Sequence, residues 1–316
     1  MARGPVRLPP RPSTREFTRE ARAIAGFSPF DWLHGYVYAR WPYLYIGIAK
    51  GEHPLSKVVV PIVNVGTRAW RTIRGERNGD GRPGFADSYH GKVMPLASAT
   101  RLVSVEEDVD LRDLEHVIPY AKARDIVLRN PDHIVALECP CRAVTDNPCL
   151  PLDVCLIVGE PFASLVVEHH PHRSRWISQD EAAQILREEQ QRGHVHHAFL
   201  KDAMLGRFYA ICNCCSCCCG AMHAHRNGTP MLASSGYVAH LASDDCIACG
   251  ACVRSCQFSA MSLRGGAVRI DSAACMGCGV CVSTCPQGVL ALERDASRGE
   301  PLEIQELAAA RARASV

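Results

Sequence analysis

Eight cysteines in the C-terminal third leave the chain little choice of local fold. Cys246, Cys249, Cys252 and Cys256 follow C-x2-C-x2-C-x3-C spacing, and Cys275, Cys278, Cys281 and Cys285 repeat it at an offset of 29 residues, closed by Pro286. Three thiolates two residues apart curl a loop around the corners of one cubane, and the fourth, on the helix that follows, reaches the sister cluster. The spacing predicts two [4Fe-4S] clusters with interleaved ligands: Cys246, Cys249, Cys252 and Cys285 on the first, Cys275, Cys278, Cys281 and Cys256 on the second. A pair of zinc sites is the competing structural reading, but ligands at two-residue intervals suit a cubane face better than one tetrahedral ion. Ala248, Gly250, Ala251, Gly277 and Gly279 are small enough to let backbone amides approach cluster sulfurs.

Residues 236–292 resemble the two-cluster bacterial ferredoxins, and the resemblance implies two symmetry-related sets of strands and helices around paired cubanes. Gln257 stands where the first motif of that family usually has proline, a departure that removes no ligand. Asp244, Asp245 and Asp271 are balanced by Arg254, Arg264 and Arg269, unlike the acidic free ferredoxins, so the module is expected to be a tethered relay.

The other ten cysteines are Cys139, Cys141, Cys149 and Cys155, then Cys212, Cys214, Cys215, Cys217, Cys218 and Cys219 within CNCCSCCCG. Such crowding in a chain of 316 residues indicates metal ligation, not a disulfide framework. Thiolates need a reducing compartment, and a cytoplasmic location is expected. The CPCR segment (139–142) and the CNCCSCCCG segment are similar to those of bacterial dicluster ferredoxin-domain proteins, a resemblance that implies an architecture without a known reaction. Four thiolates converging from the two segments would suit a third iron-sulfur cluster or another metal, with Cys139, Cys141 and Cys155 the natural donors from the first. Adjacent residues such as Cys214 and Cys215 rarely ligate one iron together, so not all ten are expected to ligate. A structural metal site or a redox-silent thiol cluster is the blander reading. Cys218-Cys219-Gly220 is similar in part to the heterodisulfide reductase motif, whose downstream pair is here already used by the ferredoxin.

Histidines crowd the same region: His169, His170, His172, His194, His196, His197, His223 and His225. Any of them could ligate or move protons, although lone histidines in polar loops are usually solvated. His194 and His196 fall on one side of an extended chain, and Lys201 and Arg207 could hold an anion.

Elsewhere the sequence reads as an ordinary folded chain. With 47% hydrophobic residues it can build a core and two units. The balance of 35 basic and 33 acidic residues gives no support to nucleic-acid binding. Arg3, Arg7, Arg11, Arg15, Arg19 and Arg22 sit among proline and polar residues without an apolar signal core, so residues 1–26 are expected to be a basic flexible arm. Arg40, Lys50 and Lys57 interrupt the best apolar stretch, so no transmembrane span is expected. Eight aromatic residues between Phe27 and Tyr45 are read as core or subunit-seam packing in preference to peripheral membrane contact.

Locally, strands are expected at 58–65, 133–138, 154–158 and 165–167, and an exposed loop at 75–84. Ser104 with Glu107, and Ser178 with Glu181, have the spacing that opens helices, the second running to about Arg192; a further helix is expected over 199–210. The fold class is α+β: an α/β-type cysteine-rich domain over 27–235, a ferredoxin-type 2[4Fe-4S] domain over 236–292, and a C-terminal tail or helix over 293–316.

Two functions fit. In the first, the chain is an electron-transfer protein, a subunit of a larger redox complex, relaying single electrons between redox partner proteins through the two clusters and a third metal centre. In the second, the CPCR/CNCCSCCC centre is the active site of an oxidoreductase that reduces a small molecule or disulfide with electrons from the ferredoxin domain. No phosphate-cradling glycine motif or hydrolase constellation stands out.

Overall fold

The computed structural model describes residues 11–61, 88–120 and 122–314. Its centre is a seven-stranded sheet in the order β6 (Ser174–Ile177), β4 (Ile134–Leu137), β5 (Cys155–Val158), β8 (Arg207–Cys214), β7 (Val195–Lys201), β1 (Tyr89–Met94), β9 (Leu232–Ala233). β2 (Val109–Leu111) and β3 (Ile126–Leu128) form a separate antiparallel pair. Every pairing in the large sheet is antiparallel except β1 with β9. The cysteine-rich domain therefore lacks the parallel βαβ alternation of the expected α/β type. Its strands are joined by hairpins and by short helices that return the chain antiparallel.

Both sheet faces are covered. Successive side chains on a strand point to opposite faces, so Val135 and Leu137 enter one core while Ile134 and Ala136 enter the other. The first core is closed by α1 (Pro12–Ala23), α2 (Pro29–Arg40), α6 (Phe162–His169) and α8 (Gly220–Arg226). The second is closed by α4 (Leu96–Val103), α7 (Gln179–Gln191) and α11 (Ile304–Ala314). α3 (Pro42–Lys50) and the single turn α5 (Pro140–Ala143) stand over the end of the sheet where the cysteines gather. The register of β7 on β8 shifts between Phe199 and Leu200. This bulge sends both Tyr209 and Ala210 into the first core, on the cysteine side.

Several local expectations are corrected. The basic segment is no flexible arm from Pro12 onward: α1 buries Phe17 completely, and Ser13 and Thr14 bond Glu168 and His169 of α6 at 2.6 and 3.1 Å. Residues 56–61 are helical where a strand was expected, and 62–65 and the 75–84 loop lie outside the described residues. Ser104 ends α4 and opens no helix. Leu165 to Val167 lie in α6, not in a strand, because the apolar run is too short to reveal its period. The helix expected over 199–210 is the β7–β8 hairpin. The strand at 133–138 and the Ser178-capped helix stand as expected.

The ferredoxin module pairs β10 (Tyr237–Leu241) with β13 (Leu290–Arg294) and β11 (Met261–Arg264) with β12 (Ala267–Ile270), around α9 (Ala251–Ser255) and α10 (Val280–Thr284). Its second half is sealed against the larger domain. Met276 and Val280 belong to the first core, and Gln190 Nε2 donates to Ser283 Oγ at 3.1 Å. The C-terminal segment then returns over the second core, where Glu303 accepts from Ser98 Oγ at 2.7 Å and Arg101 Nε at 3.0 Å. The aromatic stretch divides: Tyr38 is buried and Trp32 and Tyr45 pack on the core, whereas Phe30 is 74% exposed. Among the described residues no helix is long and apolar enough to cross a membrane.

Candidate metal centres

The two ferredoxin motifs build matching cradles. One cavity of about 20 Å³ is lined by Cys246, Cys249, Cys252 and Cys285, and another of about 20 Å³ by Cys256, Cys275, Cys278 and Cys281. The fourth cysteine of each motif thus lies with the other motif's three. Gly250 and Gly279, 29 positions apart, cap α9 and α10 with φ of 73° and 78°, which turns each loop back over its cavity. Gly277 is required for a different reason. A Cβ there would fall 2.1 Å from Tyr237 O, so only glycine lets the second loop lie against β10. The N–H groups of Ala239 and Ala260 donate to Cys275 Sγ and Cys256 Sγ at 3.5 and 3.3 Å. Burial pushes Cys278 and Cys281 up to about 12; the Val280 N–H opposes this at Cys278, and the neighbouring thiols add to it at both. Soft donors, backbone N–H···S bonds and apolar walls fit an iron-sulfur cubane in each cradle.

The ten upstream cysteines separate into two groups. Eight of them line one cavity of about 70 Å³: Cys139, Cys141, Cys155, Cys212, Cys214 and Cys219 form the first group, and Cys215 and Cys218, which also belong to the second group, share its wall. The sheet explains their convergence. Cys212 and Cys214 are two apart on β8 and share a face, and register places Cys155 of β5 opposite Cys212, with Sγ atoms 3.8 Å apart. Cys139 and Cys141 frame α5 beside them, and Cys219 precedes α8. Asn213, between the two β8 cysteines, points to the opposite face and bonds His196 Nδ1 at 2.6 Å. A hydrogen bond from the Cys219 thiol, reinforced by His197 against the cost of burial, brings Cys214 down to about 6. Cys139 is pushed well up by the bonds it makes to Cys141 and Cys155 and by burial.

A buried cation supports this cavity from behind. Arg142 of the CPCR turn is 1% exposed and donates through Nη2 to Glu189 Oε2 at 2.6 Å and Asn213 O at 3.0 Å. His194 Nδ1 lies 2.6 Å from the same Glu189 oxygen. His194 and His196 therefore serve this hydrogen-bond network and do not face the thiols; His197 is the histidine that does. His169 and His170 bond Thr14 and the Ala39 carbonyl, and His223 bonds Ser216 O. Lys201 is buried among the rings of Tyr38, Tyr45 and Tyr89, and Arg207 pairs with Glu20 at 2.7 Å, so neither forms an open anion site. The sequence reading missed Tyr38, Tyr89 and Tyr209, which share the cavity wall; the hydroxyls of Tyr38 and Tyr209 are 2.7 Å apart.

In the second group, Cys149, Cys215, Cys217 and Cys218, Cys217 is exposed while Cys215 and Cys218 are buried, and all four sulfurs lie within 4.8 Å of one another. Cys149 comes from the loop between α5 and β5, and the other three from the turn that leaves β8. Burial raises Cys149 and Cys217 to about 11 and Cys215 to about 12. On Cys218 burial is outweighed by the Cys149 N–H and the adjacent thiols, which lower it.

Gln257 joins this turn to the ferredoxin module. Its Oε1 accepts from Ser216 N at 2.8 Å and its Nε2 donates to Gly193 O at 2.9 Å. A proline at this position could make neither bond.

Residues 245–289 match the 4Fe-4S dicluster domain family, so the C-terminal module is a ferredoxin-type dicluster domain. No curated protein and no solved structure matched the chain in the comparisons made with it.

Proposed function

We propose that the chain relays single electrons between a redox partner at the exposed half of the ferredoxin module and a third iron-sulfur centre in the six-thiol cavity. In this reading Cys246, Cys249, Cys252 and Cys285 hold the first cluster, and Cys275, Cys278, Cys281 and Cys256 the second. The six-thiol cavity carries the argument. It is several-fold larger than either cradle of the dicluster domain, about 70 against about 20 Å³, and its six thiols are joined at the wall by Cys215 and Cys218. A cluster bound there would supply one-electron storage. The protein's part is to gather the thiolates, exclude water with Ile157, Phe162 and Tyr209, and offset negative charge with buried Arg142.

The asymmetry of the module gives the relay a direction. The first motif faces solvent, with Cys249 exposed and Ile247 60% exposed, so it suits a docking protein within a larger redox complex. The second is packed on the cysteine-rich domain through Met276 and Val280. Its thiolates would require a reducing compartment such as the cytoplasm. A second reading, an oxidoreductase acting on a small molecule or disulfide, is favoured by Tyr38, Tyr89 and Tyr209, whose hydroxyls could donate protons beside the six thiols.

The test is iron and acid-labile sulfide per anaerobically purified chain, with low-temperature EPR of the reduced protein. The relay predicts iron well beyond the ~8 atoms of two cubanes. The Cys155→Ser/Cys212→Ser variant should lose the excess iron and sulfide together and keep ~8 of each. Wild-type protein with iron and sulfide for two clusters only refutes the third centre. A signal that shifts when a small thiol is added moves the assignment to the oxidoreductase.

A further inference from the structure

The four sulfurs of Cys149, Cys215, Cys217 and Cys218 are spaced unlike those of the dicluster cradles. Cys217 Sγ lies 3.1 Å from Cys149 Sγ, 3.1 Å from Cys215 Sγ and 3.6 Å from Cys218 Sγ. Among the described residues this is the group of His, Cys, Asp or Glu donors in which every donor lies within 4.8 Å of the rest, and neither ferredoxin quartet is drawn together so tightly. One ion with metal-sulfur bonds of about 2.3 Å sets the edges of its sulfur tetrahedron at about 3.8 Å. A cubane spreads its terminal thiolates farther, because each binds a different iron at a different corner. A disulfide is also a poor description: Cys217 is equally near two sulfurs, at a separation far beyond a sulfur-sulfur bond of about 2.05 Å.

We propose that Cys149, Cys215, Cys217 and Cys218 bind a single thiophilic metal ion, zinc or iron, in an all-sulfur tetrahedral site that adjoins the six-thiol cavity, whose wall Cys215 and Cys218 share. Cys215 and Cys218 have the C-x2-C spacing of a chelating turn, with the Cys218 N–H directed to the Cys215 sulfur and the Cys149 N–H to the Cys218 sulfur. Ser216, in the middle of that turn, is held from outside at both its N–H and its carbonyl. Ser216 N–H is taken by Gln257 Oε1 at 2.8 Å, while Ser216 O receives Arg226 Nη2 and lies 2.9 Å from His223 Nε2. Three side chains from two other elements thus preorganise the ligand turn, the role that outer partners play at metal sites. Cys217 is exposed, which gives an ion its entry path. Because Gln257 follows Cys256 directly, the site also ties the ferredoxin module to the larger domain.

The experiment compares zinc, iron and acid-labile sulfide in the anaerobically purified full chain with those in the Cys149→Ser/Cys217→Ser variant. The expected result is loss of about one equivalent of zinc or iron with no loss of sulfide, since a mononuclear site holds none. Loss of iron and sulfide in equal amounts, or unchanged metal, overturns the assignment. Should the variant fail to fold, X-ray absorption at the zinc edge and Mössbauer spectroscopy of iron-57-enriched wild-type protein decide it. Zinc in a four-sulfur shell, or a mononuclear iron component, supports the site, and finding neither overturns it. Sulfide for only two cubanes would refute the third cluster while leaving this result unaffected.

Discussion

Replacing Arg142 by leucine would take one of three partners from a buried carboxylate, leaving Glu189 with Arg192 Nη1 at 3.1 Å and His194 Nδ1 at 2.6 Å. Arg142 is 1% exposed and Glu189 0% exposed, with 2.6 Å between Nη2 and Oε2, and the same guanidinium also satisfies the carbonyls of Pro151 and Asn213. Taking one partner out of a buried pair costs about 3–5 kcal/mol, because the remaining charge keeps its desolvation penalty, and the contacts that Arg192 and His194 keep with Glu189 put this loss at the lower end. In a unit of this size that corresponds to roughly 6–20 °C in Tm. Removing the charge as well should relieve part of the loss, so Arg142→Leu/Glu189→Leu is expected to be more stable than Arg142→Leu, with a coupling of about 1–3 kcal/mol. The assay is anaerobic thermal unfolding followed by near-ultraviolet circular dichroism at one scan rate, with iron determined in each variant so that cluster loss is recognised. A single variant within about 2 °C of wild type, or a double variant at the sum of the two singles, would refute the reasoning.

Other consequences can be checked with the same preparations. Glu189 is held below the ordinary carboxylate range, burial being outweighed by His194 and Arg142. Its stabilising share is therefore complete above about pH 4.3 and lost as acid protonates the folded state; wild-type Tm should fall below pH 4 more steeply than that of Arg142→Leu/Glu189→Leu. Burial lowers Lys201 to about 8, so between pH 8 and about 10 the unfolded chain carries a proton that the folded chain has released, and folding gains stability as pH rises. Lys201→Met should raise Tm at pH 7, and that advantage should narrow through this window. Gln257→Pro should leave the dicluster iron intact while hydrogen exchange at the Ser216 amide rises, since its acceptor is gone; unchanged protection there would show that the bond does not hold the turn. Gly277→Ala sets a Cβ against Tyr237 O at a residue with φ of 65° and should cost about 2–4 kcal/mol, read as loss of iron from the second cradle.

The dicluster module was legible because its determinants are local. Two motifs, each within a dozen residues, specify the loops, and the glycines beside them serve turns that the motif itself demands. The larger domain was legible only where a cap or a periodic run was long enough, as at Ser178 and at 133–138. The short apolar runs at 165–167 and 199–210 were misread, since a few buried residues look alike in a helix and a strand and only their tertiary neighbours decide.

The cysteine count, the crowding into CPCR and CNCCSCCCG, and the preference for metal over disulfides were all properties of the sequence alone. The partition of the ten upstream thiols was not. CNCCSCCCG carries no mark of which sulfurs belong together. Strand alternation puts Cys212 and Cys214 on the cavity side, antiparallel register brings Cys155 against Cys212, and the end of β8 at Cys214 releases Cys215, Cys217 and Cys218 into a turn that meets Cys149. Residue types settle which chemistry a chain can hold; pairing between strands far apart in sequence settles where each donor points, because a shift of one residue in register moves every side chain to the other face.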